Sequence, residues 1–207
     1  MSILNKLATS LNRRDEVPNQ ELAAEIAAKN NKAAIRELID NLSNKSKDIQ
    51  HDCIKVLYEA GERKPELITG YLETFLELLH HKNNRLQWGA MTALHAIALK
   101  DPKIIYHSLS KIMDAADKGS VITRDYAVKI LIQLSSVKQY ADDTFLLLNE
   151  QLLGCPSNQF PMYAEYTASV ITEKNKKIFI HTITSRLKDL EKDSQRKRIE
   201  KIIKKLS

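Results

Sequence analysis

The chain has 207 residues, 43% of them hydrophobic and 28% charged, and a formal net charge of +6. That length suits one well-buried core or an extended repeat array, and five Gly and five Pro are too few to furnish the tight turns of an all-β protein. No apolar run approaches the roughly 20 residues of a membrane-spanning helix. The N-terminus MSILNKLATSLNRRDE carries no cleavage pattern, and Cys53 and Cys155 form no CxxC pair, so the sequence reads as a soluble, reduced, cytoplasmic protein.

Hydrophobic periodicity predicts helices, in chain order, over 2–12, 19–29, 32–43, 46–61, 65–80, 83–99, 102–117, 120–135, 138–153, 157–173, 175–191 and 194–206. Pro65 and Pro102 stand near helix starts, where a missing N–H matters least. Ser46, Asn83 and Ser120 stand where N-caps belong. The turn-rich stretch GCPSNQFP, residues 154–161, predicts a flexible break.

The helices repeat. DIQHDCIKVLYEA from Asp48, RLQWGAMTALHAI from Arg85 and VITRDYAVKILIQL from Val121 align so that Ile49, Leu86 and Ile122 correspond, at offsets of 37 and 36 residues. A weaker fourth copy begins near Met162. The preceding segments AAIRELIDNL, GYLETFLELL and HSLSKIMDAA place Leu38, Phe75 and Ile112 in equivalent positions 37 apart, so each unit is two helices.

This pattern resembles the HEAT family of helical repeats, through LQWGAMTAL (Leu86 to Leu94) and, more loosely, IQHDCIKVL and ITRDYAVKI. Gln50, Gln87 and Thr123 stand where that family often has arginine, so the polar ladder between repeats differs. The resemblance implies an all-α fold, a right-handed α-α superhelix (solenoid) of about five HEAT-like helix pairs, armadillo-type in its broad class. One domain over 1–207 is expected, with N-terminal capping helices in 1–31, repeats in 32–172 and basic capping helices in 173–207.

On the second helix of each unit, at about 100° per residue, the positions four, five, eight and eleven after the aligned apolar residue define a buried face. Trp88, the only tryptophan, falls about 130° from the centre of that face and is expected outside the core. His51 and Arg124 share its position. The resemblance implies that this side lines a concave wall, where Lys55, Tyr58, Thr92, His95 and Val128 complete a stripe of aromatic, basic and apolar groups.

Candidate chemistry is sparse. Asp52, Asp125 and Glu165 share one repeat position, but helices pack about 8–10 Å apart, which puts Asp52 and Asp125 too far apart for a carboxylate dyad. There is no HExxH, no CxxC and no glycine-rich phosphate loop, and no metal or cofactor is expected. The C-terminal 174–207 hold 12 Lys and Arg against four Asp and Glu, a local +8 that leaves −2 for the remainder. Arg196, Lys197, Arg198, Lys201, Lys204 and Lys205 form its basic patch, either the polar face of a capping helix or a docking surface for nucleic acid or an acidic protein.

The expected function is therefore non-catalytic binding of a protein or peptide along the concave face, with no membrane partner. The alternative is nucleic-acid binding. Alkylpurine DNA glycosylases are also built from HEAT-like repeats, and that likeness would make Trp88 with Asp52 or Asp125 the working residues; the single tryptophan departs from their several aromatics.

Overall fold

The computed structural model describes residues 2–206, and no strand occurs among them. The packing divides the chain into two compact units, Met1–Ala127 and Val128–Ser207, with the boundary inside a continuous helix.

In the first unit a 3-10 turn, Ile3–Lys6, precedes α1 (Val17–Lys29), α2 (Lys32–Asp40), α3 (Lys47–Arg63), α4 (Leu72–Leu78), α5 (Asn84–Ile97), α6 (Pro102–His107), α7 (Leu109–Lys118) and the start of α8 (Val121–Ser135). Helix α3 packs against α1 on one side and α5 on the other, while α2 and α4 lie against α3 and α5 respectively. This is the helix-pair stacking that the sequence repeat implies. Leu38, Phe75 and Ile112 are each completely buried, as are Cys53, Ile54, Leu57 and Ala60 of α3 and Ala90, Met91, Leu94 and Ile97 of α5. The expected caps form: Ser46, Asn83 and Ser120 each accept a backbone N–H at the head of α3, α5 and α8, at 3.5, 3.1 and 3.3 Å.

The helix expected over 2–12 is mostly absent. Side chains take the amides that a helix would use, since the Ala8 N–H donates to Asn19 Oδ1 and the Thr9 N–H to Asp52 Oδ2, and Asn12 adopts a left-handed φ of 55°. The helix expected over 65–80 opens as 3-10 turns, Pro65–Leu67 and Thr69–Tyr71, and becomes α-helical only at Leu72. That over 102–117 breaks at Ser108, whose N–H is shared between the carbonyls of Ile104 and Ile105.

In the second unit α9 (Ala141–Gly154), α10 (Phe160–Ala168), α11 (Lys176–Ser185) and α12 (Asp193–Leu206) follow the remainder of α8. Helix α10 packs on α9 and α12, and α11 on α9 and α12. The turn-rich 154–161 stretch, expected to be a flexible break, is instead pinned by a residue that the sequence reading passed over. Arg186 Nη1 donates to the carbonyls of Leu152 and Cys155 at 2.7 and 2.8 Å, and its guanidinium lies 4.7 Å from the centre of the Phe160 ring. These carbonyls close α9, so the buried charge is used to satisfy a helix C-terminus.

Gly89 sets how closely α3 and α5 approach. A Cβ there would lie 2.5 Å from Ile54 Cγ1 and 3.2 Å from Cγ2, and both belong to the branch point of a fully buried side chain. Alanine gains about 1 kcal/mol of helix propensity but incurs about 1–3 kcal/mol of overpacking. Gly89→Ala is therefore expected to lower unfolding free energy by about 1 kcal/mol in urea titrations. Gly154→Ala, where nothing lies within 4 Å, should raise it by about 0.5–1 kcal/mol; a stabilising Gly89→Ala would contradict the close approach.

Candidate functional site

The face expected to line a groove is narrower than the sequence pattern implies. Lys55, Tyr58, Thr92 and Val128 are buried, 6%, 6%, 1% and 1% exposed, so these four do not present an open binding stripe. The reason is lateral. A helix pair considered alone leaves the flank of its second helix bare, whereas α3 is covered on both flanks, by α1 and by α5. His51, Trp88, His95 and Arg124 remain partly exposed.

The N-terminal segment narrows the face further. Asp52 is its anchor, with one carboxylate oxygen accepting the Thr9 N–H at 2.8 Å and the other the Asn19 Nδ2 at 2.7 Å. Both oxygens of this glycosylase-type candidate are thus committed to holding the chain in place. Glu16 then reaches over α3 and α5, pairing with Lys55 at 2.8 Å and with Arg85 at 2.7 Å. Lys55 also pairs with Glu59 at 2.9 Å and sits 5.0 Å from the Tyr58 ring centre. Burial by itself would push the Lys55 ammonium down, but the Glu16 and Glu59 carboxylates outweigh it and hold the group above the ordinary lysine value. The Lys55 and Arg85 partners keep Glu16 below the usual carboxylate range. For Glu59, burial acts upward, and Arg63 and Lys55 prevail to lower it.

Trp88 stands at the edge of this network. Its ring is tilted at 52° against Tyr58, with centroids 5.8 Å apart, and the Arg85 guanidinium lies 5.6 Å from it. Because Glu16 holds Arg85, the indole is braced on two sides. His51 is tied into a ladder between repeats: Asn83 Nδ2 donates to Gln50 Oε1 at 3.2 Å and meets His51 Nε2 at 3.0 Å. Gln50 and Gln87 play matching parts, donating to the carbonyls of Asn44 and Leu79, both at 2.7 Å. These glutamines occupy the positions where arginine is frequent in HEAT repeats. Arg124 donates to the Asp117 carbonyl at 3.4 Å, and the His95 ring meets Tyr126 edge-on at 5.3 Å.

Arg85 also lines a polar pocket of about 380 Å³, with Arg13, Arg14, Asp15, Glu16 and His51 among others. Its charges are largely internally matched, since Arg13 pairs with Asp15 at 2.8 Å as Arg85 does with Glu16. No group of His, Cys, Asp and Glu suited to a metal ion occurs among the described residues. Both free cysteines are buried, and burial, with the Asp52 and Glu37 carboxylates adding to it, raises the Cys53 thiol to about 12. No helix among the described residues is long and apolar enough to cross a membrane.

A designed armadillo repeat protein, 15% identical, superposes with a TM-score of 0.62 over 99% of this chain and 100% of its own. The fold is of the armadillo/HEAT-like helical-repeat kind. Two engineered proteins agree: one is 23% identical with a TM-score of 0.61, covering 100% of this chain and 99% of its own, and the other is 20% identical with a TM-score of 0.57, covering 100% and 97%. At these identities the likeness is one of fold. No family model matches the sequence, and no curated protein matches it either.

The helical-repeat core carries its ion network within a definite pH window. Glu16 and Glu59 have folded values lowered from 4.5, so their contribution is complete above 4.5 and lost as pH falls through those lower values. Lys55, raised from 10.5, contributes fully below 10.5 and is lost as pH climbs through its folded value. Glu16→Gln should destabilise by about 1 kcal/mol at neutral pH, a figure discounted for the exposure of Glu16. Between about pH 6 and about pH 3 its stability should also fall less steeply than that of the wild type. Parallel slopes would show that Glu16 is not held by Lys55. Asp52→Ala should cost about 2 kcal/mol and expose the segment before α1 to limited proteolysis; an unchanged cleavage pattern would count against the anchor.

Proposed function

We propose that the protein is a non-catalytic binding scaffold in which Trp88 anchors a protein or peptide partner, in a cytoplasmic setting. The observation that carries this reading is the bracing of a partly exposed indole between Tyr58 and Arg85. An aromatic ring that is already braced by its neighbours loses less conformational freedom on binding, and tryptophan and arginine are among the residues that most often dominate interface energy. His51 and Arg124, at the same repeat position on α3 and α8, are partly exposed polar groups available to the same partner. The helical-repeat fold supports the reading because stacked second helices present equivalent positions in a row, suited to an extended partner.

Nucleic-acid binding remains the second reading, favoured by the exposed lysines of α12. The two separate through Trp88. Selection of displayed peptides on the full chain should yield ligands that Trp88→Ala weakens by about 2 kcal/mol, roughly 30-fold, while Trp88→Phe, which keeps a ring against Tyr58, retains most of the affinity. Ligands indifferent to Trp88→Ala, or duplex DNA shifting Trp88 emission with steep salt dependence, would overturn the scaffold reading.

A further inference from the structure

The charge at the C-terminal end is not spread evenly round α12. At about 100° per residue, Lys197, Lys201, Lys204 and Lys205 share one arc, opposite Ile199, Ile202, Ile203 and Leu206. Ile199 and Ile202 are buried, 0% and 8% exposed, which directs the lysine arc to solvent. The two arginines have structural employment. Arg198 grips Glu165 with two hydrogen bonds of 2.7 and 2.6 Å, and Arg196 Nε donates to the Leu190 carbonyl at 2.8 Å. Among the described residues none of the four lysines forms a salt bridge, and Glu165, which Lys201 feels electrostatically, is gripped by Arg198 instead. A capping helix needs a polar outer face, but it has no need of four cations on one arc without a salt bridge, which repel one another.

Beside this arc, α10 and α12 enclose a cleft of about 300 Å³. Ala168, Ile202 and Leu206 give it an apolar lining, Lys201 and Lys205 contribute from α12, and the Glu165–Arg198 pair forms part of its wall. We propose that this cleft is a second docking surface, which takes an acidic polypeptide segment by inserting one aliphatic side chain between α10 and α12 and setting carboxylates against Lys201 and Lys205.

Three features favour a polypeptide over nucleic acid. The apolar lining offers a phosphate chain nothing, whereas an aliphatic side chain gains by burial there. No aromatic residue lines the cleft to stack a base, and stacking platforms are what single-strand binders use. The Glu165 carboxylate in the wall is a hydrogen-bond acceptor, for which a peptide backbone supplies N–H donors and a phosphodiester chain supplies none. The cleft lies wholly in the second unit and Trp88 in the first, so this surface stands or falls independently of the Trp88 reading.

The test is fluorescence anisotropy on the full chain. The probes are a library of short Glu/Asp-rich peptides with one varied central residue, and single-stranded DNA of matched charge. Peptides with a central Leu or Ile should bind saturably, and replacing that residue by Ser should weaken binding about tenfold. The Lys201→Glu, Lys205→Glu double variant should weaken it at least as much, and the Lys201→Gln, Lys205→Gln variant should fall between. Unaltered thermal unfolding of the lysine variants identifies the loss as one of binding. The proposal is overturned if no library member saturates, if Leu and Ser peptides bind alike, or if DNA binds more tightly than every peptide and is the ligand that the lysine substitutions weaken.

Discussion

Lateral burial of the second helices is the constraint on which the rest of the first unit depends. Helix α3 has α1 on one flank and α5 on the other, and Gly89 lets α5 come close enough for its backbone to ride over Ile54. That proximity buries Tyr58 and Lys55, and a lysine so buried has to be given carboxylates. Glu59 supplies one from the next turn of the same helix, and Glu16 supplies the other from a segment that Asp52 has already fastened. Apolar packing therefore comes first and dictates the polar network.

The network in turn shapes the surface that remains. Glu16 bridges Lys55 and Arg85, Arg85 covers one side of Trp88, and Tyr58 supports the other. Of a face that could have formed a broad groove, a narrow row is left open, and its largest side chain is fixed by its neighbours. Fixing a side chain before binding trades breadth for preorganisation, and Asp52 has both carboxylate oxygens committed to the fold.

Much of the architecture was legible from the sequence because repeats multiply each signal. One heptad-like stripe is ambiguous, but Leu38, Phe75 and Ile112 in the same register, with caps at Ser46, Asn83 and Ser120, leave little choice of helix-pair arrangement. Trp88 was placed outside the core by the same logic, through comparison with His51 and Arg124. What escaped depends on partners far apart in the chain. Burial of Lys55 and Tyr58 depends on helices on either side, which a single-helix projection does not contain. The unwinding of 2–12 depends on Asn19 and Asp52, and the fastening of 154–161 depends on Arg186, about thirty residues away. No local pattern announces such pairs. A weak signal existed for Arg186 alone, as a basic residue followed by Leu and Lys at the end of an amphipathic run, yet it was indistinguishable from the surface cations of the tail.

The central claim is that the helical-repeat core holds Trp88 immobile and partly exposed before any partner arrives. Because the chain has a single tryptophan, time-resolved anisotropy of its emission reads that one ring directly. The account predicts depolarisation dominated by tumbling of the whole molecule, with little faster component, and moderate access of the ring to a neutral quencher. A large fast component, of about a nanosecond or less, would mean that Tyr58 and Arg85 do not brace the indole, and the anchor would lose its physical basis.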